Sequence, residues 1–253
     1  MKTIVIANQK GGVGKTTTAV SLAHGLALRG HATLLVDLDP QGQCATFLGL
    51  QPESGIFDLL ISRRPLADLT RSADTDGATR PGLRLLPGDK RTATAQIVLS
   101  AEGLPLEAFA QALRCAPVAY VVVDTSPSVG LLQESALYAA DWLVAPVATD
   151  YPAAEGLAGV LATLSSVERR GGACQLLAVL PTMHDEVTRE SKAALGQLHE
   201  RFGDLVLPAI HRATILRECA AEATTIWEKA PTSRAAAEYT ALVEKVLSHD
   251  PAS

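Results

Sequence analysis

A glycine-rich loop near the N-terminus constrains this 253-residue chain more than any other feature. Thr3–Ala7 is a short apolar run that predicts a buried strand, and residues 8–18 then read Asn-Gln-Lys-Gly-Gly-Val-Gly-Lys-Thr-Thr-Thr. Thr16–Arg29 carries apolar residues at helical spacing. Because glycines let backbone N–H groups turn inward at a helix N-terminus, this strand–loop–helix unit predicts a polyphosphate site.

The residue types in the loop suit a nucleotide with a divalent cation. Lys15 can reach the β- and γ-phosphates, the Thr16 hydroxyl can ligate Mg²⁺, and Thr17 can donate toward the α-phosphate. We therefore predict an ATP-binding, Mg²⁺-dependent ATPase. The candidate nucleotide contacts are Lys10, Gly11, Gly12, Val13, Gly14, Lys15, Thr16 and Thr17.

The loop departs from the plain G-x-x-x-x-G-K-[ST] pattern. Gln9 stands where the first glycine would fall, and Lys10 precedes the glycine pair. A second lysine would oversupply positive charge to one triphosphate. We interpret Lys10 as a residue that reaches across a dimer interface to a partner subunit's nucleotide.

Carboxylates follow two other apolar runs. Asp37 and Asp39 end the run Ala32–Leu38, and Asp124 ends the run Val118–Thr125. Next to a phosphate loop, one of Asp37 and Asp39 can orient the attacking water and one can support Mg²⁺ or its waters, and Asp124 can hold Mg²⁺ through a water. Taken alone, each could equally be a solvated turn carboxylate. The predicted catalytic residues are Lys10, Lys15 and Asp39, and the predicted metal-site residues are Thr16, Asp39 and Asp124.

Predicted strands and helices alternate along the whole chain, which indicates an α/β fold with a doubly wound, mostly parallel sheet flanked by helices. Residues 51–82 are punctuated by Pro and Gly and are predicted as a loop with one or two short helices. We predict a single P-loop domain over residues 1–253. The further predicted strands are Leu83–Leu86, Trp142–Ala148, Gln175–Thr182 and Leu205–Ile210; the further predicted helices are Leu106–Cys115, Leu131–Ala140, Ala153–Arg170, Glu186–Phe202, 212–228 and Ser233–Leu247.

Composition excludes several classes of protein. A net charge of −5 gives no overall attraction to DNA, so any such contact needs a local basic patch. The four cysteines are scattered singly, which favours free thiols over disulfides or zinc. The chain shows no secretory segment and no transmembrane-length apolar run, so we expect a cytoplasmic protein.

The motifs together resemble the deviant P-loop ATPases that include the ParA partitioning proteins. Gln9–Thr16 matches the loop pattern of that family, Asp37–Gly42 its Asp-x-Asp-Pro-Gln-Gly segment, and Asp124–Ser128 its Asp-x-x-Pro-Ser segment. Tyr151, Glu155-Gly156 and the segment 230–234 are similar as well. The resemblance implies an ATP-sandwich homodimer in which Lys10 acts in trans and Asp39 promotes a slow hydrolysis. It also implies sequence-independent DNA binding, association with the nucleoid, and a ParB-like activator protein.

Two departures qualify the resemblance. Many partitioning ATPases carry Pro-Arg-Asn where this chain has residues 210–213, Ile-His-Arg-Ala, so the usual adenine contact from Asn is in doubt. The chain begins directly at the first strand, so we expect no N-terminal helix-turn-helix and no site-specific operator binding. Basic residues of the last third are mixed with acidic ones and read as solvated faces, but the resemblance favours DNA contacts from Arg189, Lys192, Arg212 and Arg217.

Two alternatives stay open. A MinD-like membrane-cycling or protein-positioning ATPase would need a basic amphipathic C-terminal helix, and residues 239–253 contain a single Lys. We therefore expect no membrane partner. An electron-transfer ATPase of the nitrogenase-reductase type would need cysteines that ligate an iron–sulfur cluster, and no suitable pair is evident.

Overall fold

Seven strands form one sheet in the computed structural model, which describes residues 1–103, 105–150 and 154–250. The order across the sheet is β3-β4-β2-β5-β1-β6-β7; β3 runs antiparallel to β4, and the other pairs are parallel. This confirms the predicted fold class. The strands are β1 Lys2–Ile6, β2 Thr33–Asp37, β3 Arg71–Ser72, β4 Leu83–Leu86, β5 Tyr120–Asp124, β6 Trp142–Ala148 and β7 Gln175–Thr182.

Helices cover both faces of this sheet. Alternate residues of β1 belong to different cores, with Ile4 and Ile6 packed on one side and Val5 on the other. No helix in the described part of the chain is long and apolar enough to cross a membrane. The helices are α1 Lys15–Leu28, α2 Gln43–Phe47, α3 Gly55–Leu60, α4 Leu66–Leu69, α5 Arg91–Glu102, α6 Glu107–Leu113, α7 Leu131–Ala139, α8 Ala154–Arg169, α9 Arg189–Phe202, α10 Thr214–Ala221, α11 Ile226–Lys229 and α12 Arg234–His249, with a 3₁₀ turn at Gly203–Leu205.

The strand register brings the acidic strand ends together. Ile6 of β1 and Asp37 of β2 both pair with Asp124 of β5, which lies between them. The carboxyl ends of β1, β2 and β5 therefore meet at one edge of the sheet. Ligands of open α/β sheets bind at this edge.

Two sequence expectations were wrong. Leu205–Ile210 is not a strand: it runs beside β7 and donates from Leu207 to Val179 O at 3.0 Å and from Ile210 to Pro181 O at 2.8 Å. Donors to one neighbouring strand recur every second residue in a regular strand, whereas Leu207 and Ile210 are three residues apart, so regular pairing stops. The predicted helix over residues 212–228 is divided into α10 and α11, with a turn between them in which Ala223 has a φ of 55°.

Arg80 joins three parts of the chain from a fully buried position. Its guanidinium donates to both carboxylate oxygens of Glu228 in α11, at 2.9 and 3.1 Å. It also donates to the backbone oxygens of Leu48 at 2.7 Å, Ala73 at 2.9 Å and Ala223 at 3.1 Å. Arg80 thus fixes the end of α2 to the turn before α11.

Candidate nucleotide-binding site

A cleft of about 510 Å³ opens at the carboxyl ends of the central strands. Three segments that the sequence singled out line it: the glycine loop, the segment after β2 and the segment after β5. The structure therefore brings most of the predicted site residues together. The lining residues are Gly11, Gly12, Gly14, Lys15, Thr16, Thr17, Asp39, Pro40, Gln41, Gln43, Ser126, Pro127, Ser128 and Met183.

The glycine loop needs glycine at two positions. Gly12 has a φ of 73° and Gly14 a φ of 85°, which is the left-handed region that residues with a Cβ rarely adopt. Gly14 is also the N-cap of α1, and its backbone oxygen accepts from Thr18 N at 2.9 Å. The loop therefore ends directly in a helix N-terminus, where backbone N–H groups and the helix dipole attract anions.

Two side chains before the glycines anchor the loop. Asn8 is fully buried; its Oδ1 accepts from Lys10 N at 2.9 Å, and its Nδ2 donates to Pro146 O in β6 at 2.7 Å. Gln9 Nε2 donates to Thr163 Oγ1 in α8 at 3.1 Å. Gln9 thus fills the place of the missing first glycine with a contact to a neighbouring helix.

Helix α8 lies against this loop through a glycine. Gly156 O accepts from Gln9 N at 3.4 Å. A Cβ on Gly156 would overlap Asn8 Oδ1 and come within 2.8 Å of Lys10 Cβ. From the other side, Thr182 Oγ1 at the end of β7 donates to Val13 O at 2.9 Å. Val13 itself is buried and forms no part of the cleft surface.

The Lys15 ammonium is held under the loop with only 7% of the residue exposed. Its Nζ donates to Lys10 O at 2.9 Å. Burial lowers the pKa of Lys15, and the nearby carboxylates of Asp124 and Asp39 oppose this change. A polyphosphate in the cleft would supply the negative charge that a buried ammonium lacks.

Asp124 is fully buried beside Thr16 and uses only one of its two carboxylate oxygens in hydrogen bonds among the described residues. Its Oδ2 accepts from Thr16 Oγ1 at 2.7 Å and from Cys44 Sγ at 3.4 Å. Its Oδ1 is buried without a hydrogen-bond partner among the described residues. Burial raises the pKa of Asp124 to about 6. A carboxylate and a hydroxyl with an unused buried oxygen fit the oxygen ligands that Mg²⁺ prefers.

Asp37 and Asp39 have different environments although they are two residues apart. Asp37 is fully buried and accepts from the backbone N–H of Asp39 at 3.0 Å and of Cys44 at 2.9 Å. Burial and the neighbouring Asp124 raise the pKa of Asp37 well above its usual value. Asp39 is half-buried, lines the cleft and accepts from Gln41 N at 2.9 Å. Asp37 therefore shapes the segment, and Asp39 offers its carboxylate to the cleft.

Lys10 does not line the cleft. Its Nζ forms an ion pair with Asp150 Oδ1 at 2.7 Å, and its side chain is 30% exposed. The backbone of Lys10 is fixed by Asn8 and Lys15, but the side chain lies at the surface. Lys10 is therefore available to a second molecule only if it leaves Asp150.

All four basic residues predicted to contact DNA are exposed. Arg189 and Lys192 lie in the first turn of α9, and Arg217 lies in α10. Arg212 is joined to this region because its N–H donates to His184 O at 3.0 Å. Tyr151, also noted in the sequence, lies outside the described residues, as does the side chain of Glu155.

Sequence reasoning missed several residues that build the site. Asn8, Cys44 and Asp150 each act through a contact with a residue far along the chain. Asp150 carried no usable signal in the sequence, because its partner lies 140 residues away.

Comparisons with known proteins identify relatives of this chain. Residues 1–176 match the family model described as an AAA domain. The chromosome-partitioning ATPase Soj of Thermus thermophilus is 41% identical over 251 residues, which cover 98% of this chain and 96% of that protein. The chromosome partitioning protein ParA of Caulobacter vibrioides is 34% identical over 220 residues, which cover 83% and 80%.

Solved structures share the fold of this chain. One is cobyrinic acid a,c-diamide synthase from Mycobacterium smegmatis with a bound ATP analogue and magnesium. It superposes with a TM-score of 0.82 and 30% identity, over 98% of this chain and 95% of that one. Apo McdA from Cyanothece gives a TM-score of 0.87 over 97% and 99%, and its 24% identity supports the fold alone.

Proposed function

The chain belongs to the ParA family of partitioning ATPases, and on that premise we propose that it is an ATP-driven switch for DNA segregation. In this proposal two subunits enclose ATP, the dimer binds DNA without sequence preference, and a ParB-like partner stimulates hydrolysis. The observation that carries the proposal is the grouping of Lys15, Thr16, Asp39 and Asp124 around one cleft at the strand ends. The protein would act in the cytoplasm, on the nucleoid.

Nucleotide binding follows from the loop and its lysine. Backbone N–H groups of residues 11–16 surround the phosphates, and Lys15 neutralises the β- and γ-phosphates. Mg²⁺ supplies further neutralisation of the phosphate charge. Thr16 Oγ1 and the unpartnered Oδ1 of Asp124 would hold that ion directly or through water.

Hydrolysis would depend on Asp39 and on Lys10 of the second subunit. The Asp39 carboxylate faces the cleft and can orient a water toward the γ-phosphate. In the single chain the Lys10 ammonium is paired with the Asp150 carboxylate at 2.7 Å. When Lys10 contacts the nucleotide of a second subunit, its ammonium exchanges this carboxylate for a phosphate. A chain that completes its site only as a dimer would have weak activity by itself.

DNA binding would use exposed basic residues of α9, α10 and the segment before α10. Arg189 and Lys192 share the first turn of α9, Arg212 is joined to the chain before that turn through its hydrogen bond to His184 O, and Arg217 lies in α10. Guanidinium and ammonium groups bind phosphates in a salt-dependent manner, because each contact releases counterions. The proposed surface supports sequence-independent attachment.

The membrane-cycling alternative receives less support from α12. Its apolar face, including Tyr239, Leu242 and Val246, is buried in the core against α1 and the sheet. The helix therefore has no apolar face for a bilayer while it stays packed. Pelleting with anionic liposomes in the presence of MgATP would reverse our preference.

A set of substitutions tests the proposal. Lys15→Ala should lose ATP binding, Lys10→Ala should bind ATP without dimerising, and Asp39→Ala should bind and dimerise with little turnover. ATP binding is measured by calorimetry, dimerisation by sedimentation, and turnover by phosphate release. Unchanged ATP turnover in Asp39→Ala would mean that another residue orients the attacking water.

The DNA surface is tested separately. Arg212→Glu should weaken binding of the ATP-bound protein to random-sequence duplex at least tenfold, and wild-type affinity should fall steeply as salt rises. Arg201→Glu is the matched control, since Arg201 is exposed near the other end of α9. Salt-independent binding, or equal losses in both variants, would refute this surface.

A further inference from the structure

A second cavity, of about 750 Å³, lies at the opposite edge of the sheet. Leu34 and Arg84, each the second residue of its strand, line it together with Val118, which precedes β5. The nucleotide cleft begins where the same strands end, and the two cavities share no lining residue. The second cavity is thus separate from the site described above.

The floor of this second cavity is apolar. Leu34 in β2, Leu59 and Leu60 in α3, Leu66 in α4 and Ala116 after α6 all line it, and each is no more than 9% exposed. These side chains belong to the core on one side and face the cavity on the other. An apolar ligand in contact with them would gain the free energy of leaving water.

The rim of the cavity is cationic. Arg63, Arg64 and Arg84 line it, and all three are exposed. Among the described residues that line the cavity, none is Asp or Glu. The Arg84 guanidinium donates to two neutral oxygens of Thr70, O at 2.8 Å and Oγ1 at 3.2 Å, so these contacts fix its place without compensating its charge.

The turn that carries the other two arginines is held in an unusual conformation. Arg63 has a φ of 53°, in the left-handed region that a long side chain rarely adopts. Arg64 is fixed next to it, with its N–H on Asp58 O at 3.0 Å and its Nη1 on Asp58 Oδ2 at 3.3 Å. Asp58 compensates Arg64, so the cationic character of the rim rests on Arg63 and Arg84.

We propose that this cavity binds a free anionic amphiphile, with its apolar body on the leucine floor and a carboxylate or phosphate group between Arg63 and Arg84. Guanidinium groups pair with both kinds of anion through parallel hydrogen bonds. The size lies within the range of small-molecule sites, and an apolar pocket with a few convergent polar groups is their usual form. A single-chain molecule fits a concave site of about 750 Å³ better than a bilayer surface does.

Dodecanoate below its micelle concentration is a suitable probe, measured by isothermal titration calorimetry on the full chain. We expect one saturable site per chain, unaffected by MgATP. Dodecyltrimethylammonium has a similar tail and the opposite charge, and it should bind at least tenfold more weakly. Cys115 lines the cavity as an exposed thiol, so bound dodecanoate should also slow its alkylation by iodoacetamide several-fold.

Three variants locate the binding. Arg84→Glu should weaken dodecanoate at least tenfold, and Ala112→Trp should abolish binding by filling the cavity from α6. Arg114→Glu is the matched control, because Arg114 is exposed beside α6 but does not line the cavity; its affinity should equal that of the wild type. Circular dichroism melting checks that each variant is folded, and Arg63→Glu replaces Arg84→Glu if the latter is not.

Several results would overturn the proposal. They are the absence of saturable binding at millimolar dodecanoate, equal binding of the cationic amphiphile, and unchanged affinity in Arg84→Glu and Ala112→Trp. Displacement of dodecanoate by MgATP would assign the binding to the nucleotide cleft. Binding to phosphatidylglycerol vesicles without binding of free dodecanoate would assign the arginines to a membrane surface instead.

Discussion

Replacing Arg80 by Leu tests the link between the segment after β2 and the C-terminal helices. The substitution removes a fully buried guanidinium that makes five hydrogen bonds, two to Glu228 and one each to Leu48, Ala73 and Ala223. Breaking a buried ion pair costs about 3–5 kcal/mol. Because the Glu228 side chain is 22% exposed, water can solvate it, and the lower figure applies.

The three backbone oxygens add to this cost. Each buried acceptor left without a donor costs about 1–3 kcal/mol, less where water enters. Taking the lower figures of about 3 kcal/mol for the ion pair and about 1 kcal/mol for each acceptor, we expect Arg80→Leu to lower the free energy of unfolding by about 6 kcal/mol, a large part of the roughly 5–15 kcal/mol that holds a protein folded. Arg80→Lys keeps the charge but lacks the planar fork, and it should lose about half as much.

Urea unfolding followed by circular dichroism measures the effect. Arg80→Leu should shift the midpoint without changing the slope, since the surface exposed on unfolding stays the same. Arg114→Leu, at an exposed position, should stay within about 0.5 kcal/mol of the wild type. A loss below about 1 kcal/mol for Arg80→Leu would refute the reasoning, because it would mean that water replaces the guanidinium at little cost.

Three other perturbations give distinct readouts. His24 is buried and its pKa is lowered to about 4, so folding favours its neutral form. The free energy of unfolding should therefore fall by about 3 kcal/mol as the pH drops from 6.5 toward 4. In urea titrations His24→Gln should flatten this dependence on pH, whereas the control His249→Gln should keep it. Asp150→Asn removes the cis partner of Lys10 at a partly exposed site, so ATP-dependent dimers should form at up to about fivefold lower protein concentration in sedimentation experiments, and weaker dimers would contradict this. Gly156→Ala places a Cβ against Asn8 and Lys10, and it should reduce ATP affinity at least tenfold in calorimetry, whereas Gly196→Ala, with open space around it, should leave affinity unchanged.

The parts of the fold that the sequence predicted are those with a strong local pattern. The bounds of β4, β6 and β7 agree with the predicted ones, since each is an apolar run closed by Pro, Gly or a polar residue. Helix α5 was missed because the stretch before Gly103 mixes Thr, Ser and Ala with few strong apolar positions, and only Ala95, Leu99 and Thr92 are buried. The 205–210 segment was mistaken for a strand because it is an apolar run, and the sequence does not show that its donors to β7 are three residues apart instead of two.

Site residues could be predicted from the sequence where they directly follow an apolar strand or belong to the glycine loop. Thr16 and Asp124 were placed together because both follow apolar strands, and they do form a hydrogen bond of 2.7 Å. The position of the Lys10 side chain was not predictable, because it depends on Asp150. Such contacts form between residues that are far apart in the sequence and are brought together by the fold, so residue spacing in the sequence does not predict them.

The anchoring of the phosphate loop has a consequence for protein engineering. Residues 8–13 are fixed by partners in β6, α8 and β7, through Pro146, Thr163 and Thr182. A short peptide with the same residues, grafted into another scaffold, would lack these hydrogen-bond partners. A functional transplant would have to include a glycine at the helix position that faces the loop and a hydroxyl at the end of the outer strand. The phosphate-loop motif is contiguous in the sequence, but its conformation depends on four stretches of chain that are far apart in the sequence.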